Sequence, residues 1–342
     1  MVVDTREATE LITVVIPAYN AAKWIGQTLA SVQCQTHRSL EIIVIDDGST
    51  DATRSVVEAF AAHDPRIILI SQSNGGVARA RNAGLQAASG RLVAFIDADD
   101  LWAPTKIERQ LRTLLASPPG TELVYSLYVM IDEQAQIIYQ PAIRLYHGDV
   151  LDDLLRGNFI GNGSSVLVTR AAAQAVGGFE PALRDAGAQG CEDILFYCRL
   201  AERFRFAVVP AYEVGYRQLS DNMSSNLLPM LRSWMLVLRE FGSRHPERRA
   251  ILAKGLSNYC GLLMRRAIFA RKGTALCGLL WFLAPREPLL AFRMIVWTIP
   301  RTLAQSLEHA LAKIVTRATR RSIHSTAERA SFADVSRLTG RG

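Results

Sequence analysis

The stretch GRLVAFIDADDLWAP (residues 90–104) joins an unbroken apolar run to three carboxylates. Val93, Ala94, Phe95 and Ile96 have the make-up of a strand buried on both faces, as in a parallel sheet covered by helices. Asp97, Asp99 and Asp100 then fall within four residues. Burying like charges without a partner is costly. Their place at the carboxyl end of a strand is therefore informative, because open parallel sheets bind ligands beyond that end.

The same pattern recurs upstream. LITVVIP (11–17), LEIIVIDD (40–47) and RIILISQ (66–72) predict strands, separated by helical spacing over 22–33, 51–63 and 76–89. Ser49 or Thr50 is placed to cap the second of these helices. The alternation predicts an α/β fold: a mostly parallel sheet flanked by helices on both faces. After a helix starting near Pro104 the rhythm changes. Residues 121–132 and 136–140 read as an antiparallel pair, 164–170 as a strand, 192–204 as a helix and 207–217 as a last strand. From residue 227 onward the chain reads as helical, and the polar end, 324–342, is expected to fray. The organisation is thus a body over 1–226, with halves at about 11–103 and 104–226, and a helical region over 227–342.

Charge divides the same way. Residues 1–229 carry 19 Lys/Arg against 26 Asp/Glu, and residues 230–342 carry 20 against 6. An acidic body with a basic tail implies an anionic surface partner for the tail. The segment 274–306 holds Trp281, Phe282, Phe292 and Trp297, and RRAIFARK (265–272) and RATRR (317–321) are basic. No uncharged apolar run reaches the ~20 residues of a span, so the tail is expected to lie in a membrane interface. The competing reading packs these helices on the body, with Trp and Leu as core. Five scattered cysteines without a C-x-x-C pair fit a reducing compartment. With no signal pattern at the N-terminus, the expected location is cytoplasmic, peripheral on the inner face of the plasma membrane. No nucleic-acid-binding motif is present.

Asp97 and Asp99 have a natural partner in a hard divalent cation, Mg²⁺ or Mn²⁺, whose shell a ligand's phosphates and waters complete. Asp100 reads as a solvated or capping acid. An EF-hand fails because Leu101 takes a ligand position and Trp102 the glycine position. P-loop and dinucleotide fingerprints are absent. Arg79 and Arg81 are two apart on one helix and do not share a face; Arg81 is expected to point at phosphates. Glu192 and Asp193 start a helix, where acids favour the dipole without any further role. Trp102 and the GNGSS loop (161–165) read either as an acceptor wall or as core and turn.

VVIPAYN (14–20), IVIDDGSTD (43–51), NGGVARARNAG (74–84), FIDADD (95–100) and the Glu192–Asp193 pair occur in an order and spacing that resembles glycosyltransferase family 2, the inverting enzymes of GT-A (Rossmann-like) fold. The resemblance covers about residues 11–220. It implies a metal-dependent hexosyl transfer from a nucleotide-diphosphate sugar, UDP-sugar favoured, to a hydroxyl of a lipid-linked glycan or polysaccharide precursor. It makes the first half nucleotide-binding and the second acceptor-binding. It implies Pro17, Tyr19 and Asn20 at the nucleoside, Asp47 on the base and Arg81 on the donor. Asp97 would lie by the ribose or metal, Asp99 on the metal, and Asp193 would be the catalytic base, with Glu192 supporting it or capping the helix. After GYR, where relatives place a basic residue toward the diphosphate, this chain has Gln218 and Leu219, so Arg217 is the candidate substitute. No Q-x-x-R-W follows, which speaks against a processive synthase.

Other readings fit less well. A haloacid-dehalogenase phosphatase would need a hydroxyl residue where Leu101 stands, and its motif on the first strand. A nucleotidyltransferase would need a Gly/Arg/Lys-rich loop after the first strand, where PAYNAAKW lies. A catalytically inactive sugar-nucleotide-binding or membrane-scaffold protein would not need Asp97, Asp99 and Asp193 together.

Overall fold

A computed structural model describes residues 9–219, 226–308 and 330–337. Four parallel strands, β1 (Ile12–Ala18), β2 (Leu40–Asp46), β3 (Ile67–Ser71) and β4 (Leu92–Phe95), form one side of a nine-stranded sheet. The sheet continues through β8 (Val166–Thr169), β6 (Thr121–Ile131), β9 (Arg205–Arg217) and β5 (Leu101–Trp102), with β7 (Ile137–Tyr139) paired to β6. β8 runs antiparallel to β4 and to β6, while β9 is parallel to β6. Each of the first four strands matches an apolar run of the sequence, and the β6–β7 pair is antiparallel as its spacing predicts. The two-residue β5 was not foreseen; it pairs Leu101 with Gly215.

Alternation sorts the strand residues onto two faces. Ile12, Val14 and Ile16 pack with α1 (Ile25–Gln33), α2 (Thr53–Ala61) and α4 (Lys106–Leu115). Val15, Val93 and Phe95 pack with α3 (Val77–Ala87), α5 (Leu151–Arg156) and α8 (Glu192–Ala201). Two short helices, α6 (Arg170–Ala175) and α7 (Ala182–Asp185), lie between them in the chain. α3 lies so close to β1 that a Cβ at Gly84 would stand 2.3 Å from Val15 Cγ1, so only glycine fits there. Asp51, rather than Ser49 or Thr50, meets the start of α2, accepting from Thr53 N at 2.9 Å.

Beyond residue 226 the structure is helical: α9 (Leu227–Arg244), α10 (Arg249–Phe269), α11 (Gly273–Leu283) and α12 (Pro288–Arg293), which runs on through a π-helical turn at Met294–Thr298. Trp234, Phe241, Leu263 and Leu283 are buried in the same cluster as Phe95, so the helical region and the sheet share one core. Within 274–306, packing on the body holds for Leu279 and Leu283. It does not hold for Trp281 and Trp297, which are 86% and 72% exposed. No helix among the described residues is long and apolar enough to cross a membrane.

The expected fraying of the C-terminus is corrected for residues 330–335. Ser331 bridges Gln136, Phe332 N donates to Ala135 O at 2.9 Å, and Phe332 and Val335 are buried. Two apolar side chains in a polar stretch are enough to seat it beside β7 and β9. RATRR and the rest of 309–329 lie outside the described residues.

Candidate functional site

The carboxyl ends of β1, β2, β3 and β4 meet at one edge of the sheet, as parallel pairing in register requires. Pro17 is buried inside β1, while Tyr19 and Asn20 follow it as exposed residues. Asn20 adopts φ +49°, a conformation asparagine tolerates. Its Oδ1 accepts from Thr50 N at 2.8 Å and its N donates to Ser49 Oγ at 3.0 Å, which ties the β1 loop to the β2 loop. Asp47 is buried, and its carboxylate accepts from Gly75 N, Gly76 N and Gln72 Nε2 at 2.7–2.8 Å. It holds the loop that leads into α3.

α3 delivers Arg81 to the middle of the edge. The guanidinium is 4% exposed and donates from Nη2 to Asp97 Oδ1 at 2.5 Å. It also lies 5.1 Å from the Phe179 ring. A Cβ at Gly163 would stand 2.4 Å from Nη2, so the GNGSS loop makes room for this arginine by lacking a side chain there. Burial works against the charge, but Asp97 and Asp193 hold the guanidinium firmly protonated. Arg79 faces the other way, to Asp185 at 2.9 Å. As it stands, Arg81 is engaged with a carboxylate instead of open to a phosphate.

Asp99 is half-buried, and burial together with the charge of Asp97 pushes its pKa up to about 6. An Asp99 carboxylate raised in energy by its neighbour Asp97, with one Asp97 oxygen on Arg81, fits a divalent cation. Among the described residues no group of three or more His, Cys, Asp and Glu could hold a metal. A ligand's oxygens and water would have to complete the shell of such an ion.

Asp100 corrects the expectation of a solvated acid. It is fully buried; Oδ2 accepts from Ser164 Oγ at 2.6 Å and Oδ1 from Arg217 N at 2.9 Å. Ser164 Oγ in turn accepts from Asp97 N at 3.0 Å, and Trp102 Nε1 donates to Ser164 O at 2.9 Å. Trp102 is buried, with the Lys106 ammonium 3.8 Å from its ring, so of its two readings the core one holds. Arg217 does not project into the cleft. It is buried over Trp24 and donates to Asp99 O at 2.7 Å, Asp132 O at 3.0 Å, Glu133 O at 2.8 Å and Gln27 Oε1 at 2.9 Å. Gln218 lies beside it in the described chain, while 220–225 fall outside it.

Asp193 opens α8 facing the same cluster. Its Oδ1 accepts from Ile194 N at 2.7 Å and its Oδ2 from Asn158 Nδ2 at 3.4 Å. Burial pushes its pKa up to about 7, against the opposing charge of Arg81 and with that of Glu192. Glu192 itself accepts from Gly190 N at 2.9 Å and closes the turn before the helix. Sequence reasoning did not single out Asn158 or Tyr216, and it named Ser164 only as part of the GNGSS loop. Asn158 lies 35 residues from Asp193 and Ser164 lies 64 from Asp100. Tyr216, at the end of β9, has its phenol kept protonated by burial and by the charges of Asp100, Asp97, Asp99 and Asp193.

Residues 13–141 match the family model described as glycosyl transferase family 2. The chain is 42% identical over 106 residues to a putative teichuronic acid biosynthesis glycosyltransferase, TuaG, of Bacillus subtilis. The match covers 31% of this chain and 42% of that protein, so the chain spans under half the length of this curated relative. Among solved structures, residues 1–349 of TarS from S. aureus with UDP-GlcNAc superpose with a TM-score of 0.62 at 15% identity, covering 89% of this chain and 92% of that one. A mannosyltransferase of Pyrobaculum calidifontis with GDP-Man and Mn²⁺ gives 0.53 at 19% identity, covering 88% and 86%. These structures are GT-A glycosyltransferases, and the likeness establishes the fold.

Proposed function

We propose that this chain, whose residues 13–141 match the glycosyltransferase family 2 model, moves a hexose from a UDP-sugar to a hydroxyl of a lipid-linked glycan or polysaccharide precursor, with inversion. The observation that carries the reading is the convergence of Asp97, Asp99, Arg81 and Asp193 on one sheet edge, with Asp193 raised to about 7. Pro17, Tyr19, Asn20 and Asp47 line the side of that edge assigned to the nucleoside.

Asp97 and Asp99 would hold Mg²⁺ or Mn²⁺, which when bound supplies Lewis-acid stabilisation of the leaving diphosphate. Arg81 fixes Asp97 in orientation and adds positive charge on the same side. Asp193 takes the proton from the acceptor hydroxyl, a general-base step typically worth ~10²–10⁴-fold. A base near 7 is matched to neutral pH, since it is largely ionised yet still accepts a proton. The helical region is assigned to a peripheral membrane surface, supported by its excess of Lys and Arg over Asp and Glu and by exposed Trp281 and Trp297.

The test incubates the purified chain with Mn²⁺, a panel of nucleotide sugars and a lipid-phosphate acceptor, and follows nucleoside diphosphate release. Release from one donor, abolished by chelation and cut ~10²-fold or more by Asp193→Asn, is expected. Release that ignores both changes would overturn the reading.

A further inference from the structure

The helices α9, α10, α11 and α12 enclose a groove of about 900 Å³. A volume at the upper end of the ~300–1,000 Å³ of pockets that take single small molecules differs from a flat docking face. Its floor is apolar, with Leu238, Leu252, Leu256 and Phe282 among the lining residues. Its walls carry five arginines: Arg232, Arg239, Arg249, Arg286 and Arg293. The one carboxylate in the lining is Glu287.

These arginines differ from their neighbours. Arg244 and Arg248 are held by Glu202 and Asp152 at 2.6 and 2.8 Å. Among the described residues, none of the five groove arginines is ion-paired with a carboxylate. Arg286 and Arg232 lie 4.1 and 5.4 Å from the Phe282 ring. Five like charges around one apolar floor repel each other until an anion joins them. The guanidinium fork favours phosphate oxygens, and the floor favours hydrocarbon.

One end of the groove lies beside the loop that precedes Asp193 in the chain. Ala186 belongs to the lining, and a Cβ at Gly187 would stand 4.0 Å from Arg232 Nη1. A Cβ at Gly190 would stand 3.1 Å from Met230 of α9. The loop from Ala186 to Gly190 leads through Cys191 and Glu192 into Asp193. The same helical region also exposes Trp281, Phe292 and Trp297.

We propose that this groove binds the acceptor lipid: a hydrocarbon chain ending in a phosphate or diphosphate. The arginines take the phosphate, the floor takes the proximal hydrocarbon, and the sugar hydroxyl beyond the phosphate extends toward Asp193. The proposal rests on the transfer reading above and adds to it the place and chemical class of the acceptor's anchor.

The experiment uses the full chain with monomeric farnesyl phosphate as probe, followed by calorimetry. Farnesol, inorganic phosphate and anionic vesicles are run in parallel. Farnesyl phosphate is expected to bind at least tenfold more tightly than farnesol or phosphate. Arg239→Gln/Arg249→Gln should weaken it tenfold or more. Leu289→Ser, at a surface position that cannot unfold the protein, should weaken it severalfold. Donor hydrolysis with Mn²⁺ is scored in the same preparations and should be unchanged in all variants. Equal affinity for farnesyl phosphate and phosphate, or affinity indifferent to the arginines, overturns the groove while donor turnover persists. Binding to vesicles but not to the monomeric probe also overturns it, in favour of general bilayer docking. Lipid binding in a protein that turns over no nucleotide sugar overturns the acceptor role and the transfer reading together.

Discussion

Arg81 Nη2 and Asp97 Oδ1 lie 2.5 Å apart, on a helix and a strand end that meet where the parallel strands finish. The pair links the two functions assigned to the edge, since Arg81 also lowers the energy of ionised Asp193. One buried cation thus serves two carboxylates from different parts of the chain.

Removing that cation should affect both. Arg81→Met leaves Asp97 without its partner. Breaking a fully buried pair costs ~3–5 kcal/mol; Asp97 is 30% exposed, so a loss of about 1–3 kcal/mol is expected. The same variant should move the pH midpoint of transfer above that of wild type, because Arg81 is the group that holds the Asp193 pKa down. Urea titration reads the first effect and a pH–rate profile the second. A midpoint that stays put would show that the two residues are not coupled.

Transfer should fall as pH drops through about 7, because Asp193 must be unprotonated to accept the hydroxyl proton. Stability should run the other way. Unfolded, the carboxyl has a pKa of ~3.9, so between ~4 and 7 the folded state binds more protons and stability declines as pH rises. Asp193→Asn removes this dependence. It should gain thermal stability relative to wild type at pH 8, with the advantage shrinking toward pH 4. A variant equally disadvantaged at both pH values would mean that Asp193 is a structural cap.

Asp99→Asn should keep the fold, since among the described residues its carboxylate holds no other side chain, and should relieve repulsion with Asp97. Without nucleotide, its melting temperature should equal or exceed that of wild type. With Mn²⁺ and UDP, the wild type should gain stability by mass action and the variant should not. A metal-dependent gain of equal size in both proteins would remove Asp99 from the metal site.

Arg217 offers a test of a structural role against a ligand-binding one. Its guanidinium holds the carbonyls of Asp99, Asp132 and Glu133 together. Arg217→Leu should therefore destabilise by ~3 kcal/mol or more, while any folded fraction keeps its nucleotide affinity. Ser164→Ala, which leaves buried Asp100 short of a donor, should cost ~1–3 kcal/mol. Calorimetry at low temperature separates stability from affinity. Weakened UDP binding in a well-folded Arg217→Leu protein would return this arginine to the diphosphate.

What could be read along the chain was what depends on neighbours in sequence. Apolar runs gave the four parallel strands, and their polar ends gave Asp47, Asp97 and Asp99 at one edge, because strand direction and pleat act over a few residues. The same local logic misjudged Asp100, which read as a solvated or capping acid before the Pro104 helix. Its burial is set by Ser164 and Arg217, 64 and 117 residues away. Arg217 read as a free cation for the same reason, because the carbonyls that enclose it come from distant turns. The raised pKa of Asp193, the gap at Gly163 that admits Arg81, and the groove with its unpaired arginines exist only once the helices have packed. Burial and charge pairing are properties of what surrounds a residue in space, and the order of residues along the chain does not contain them.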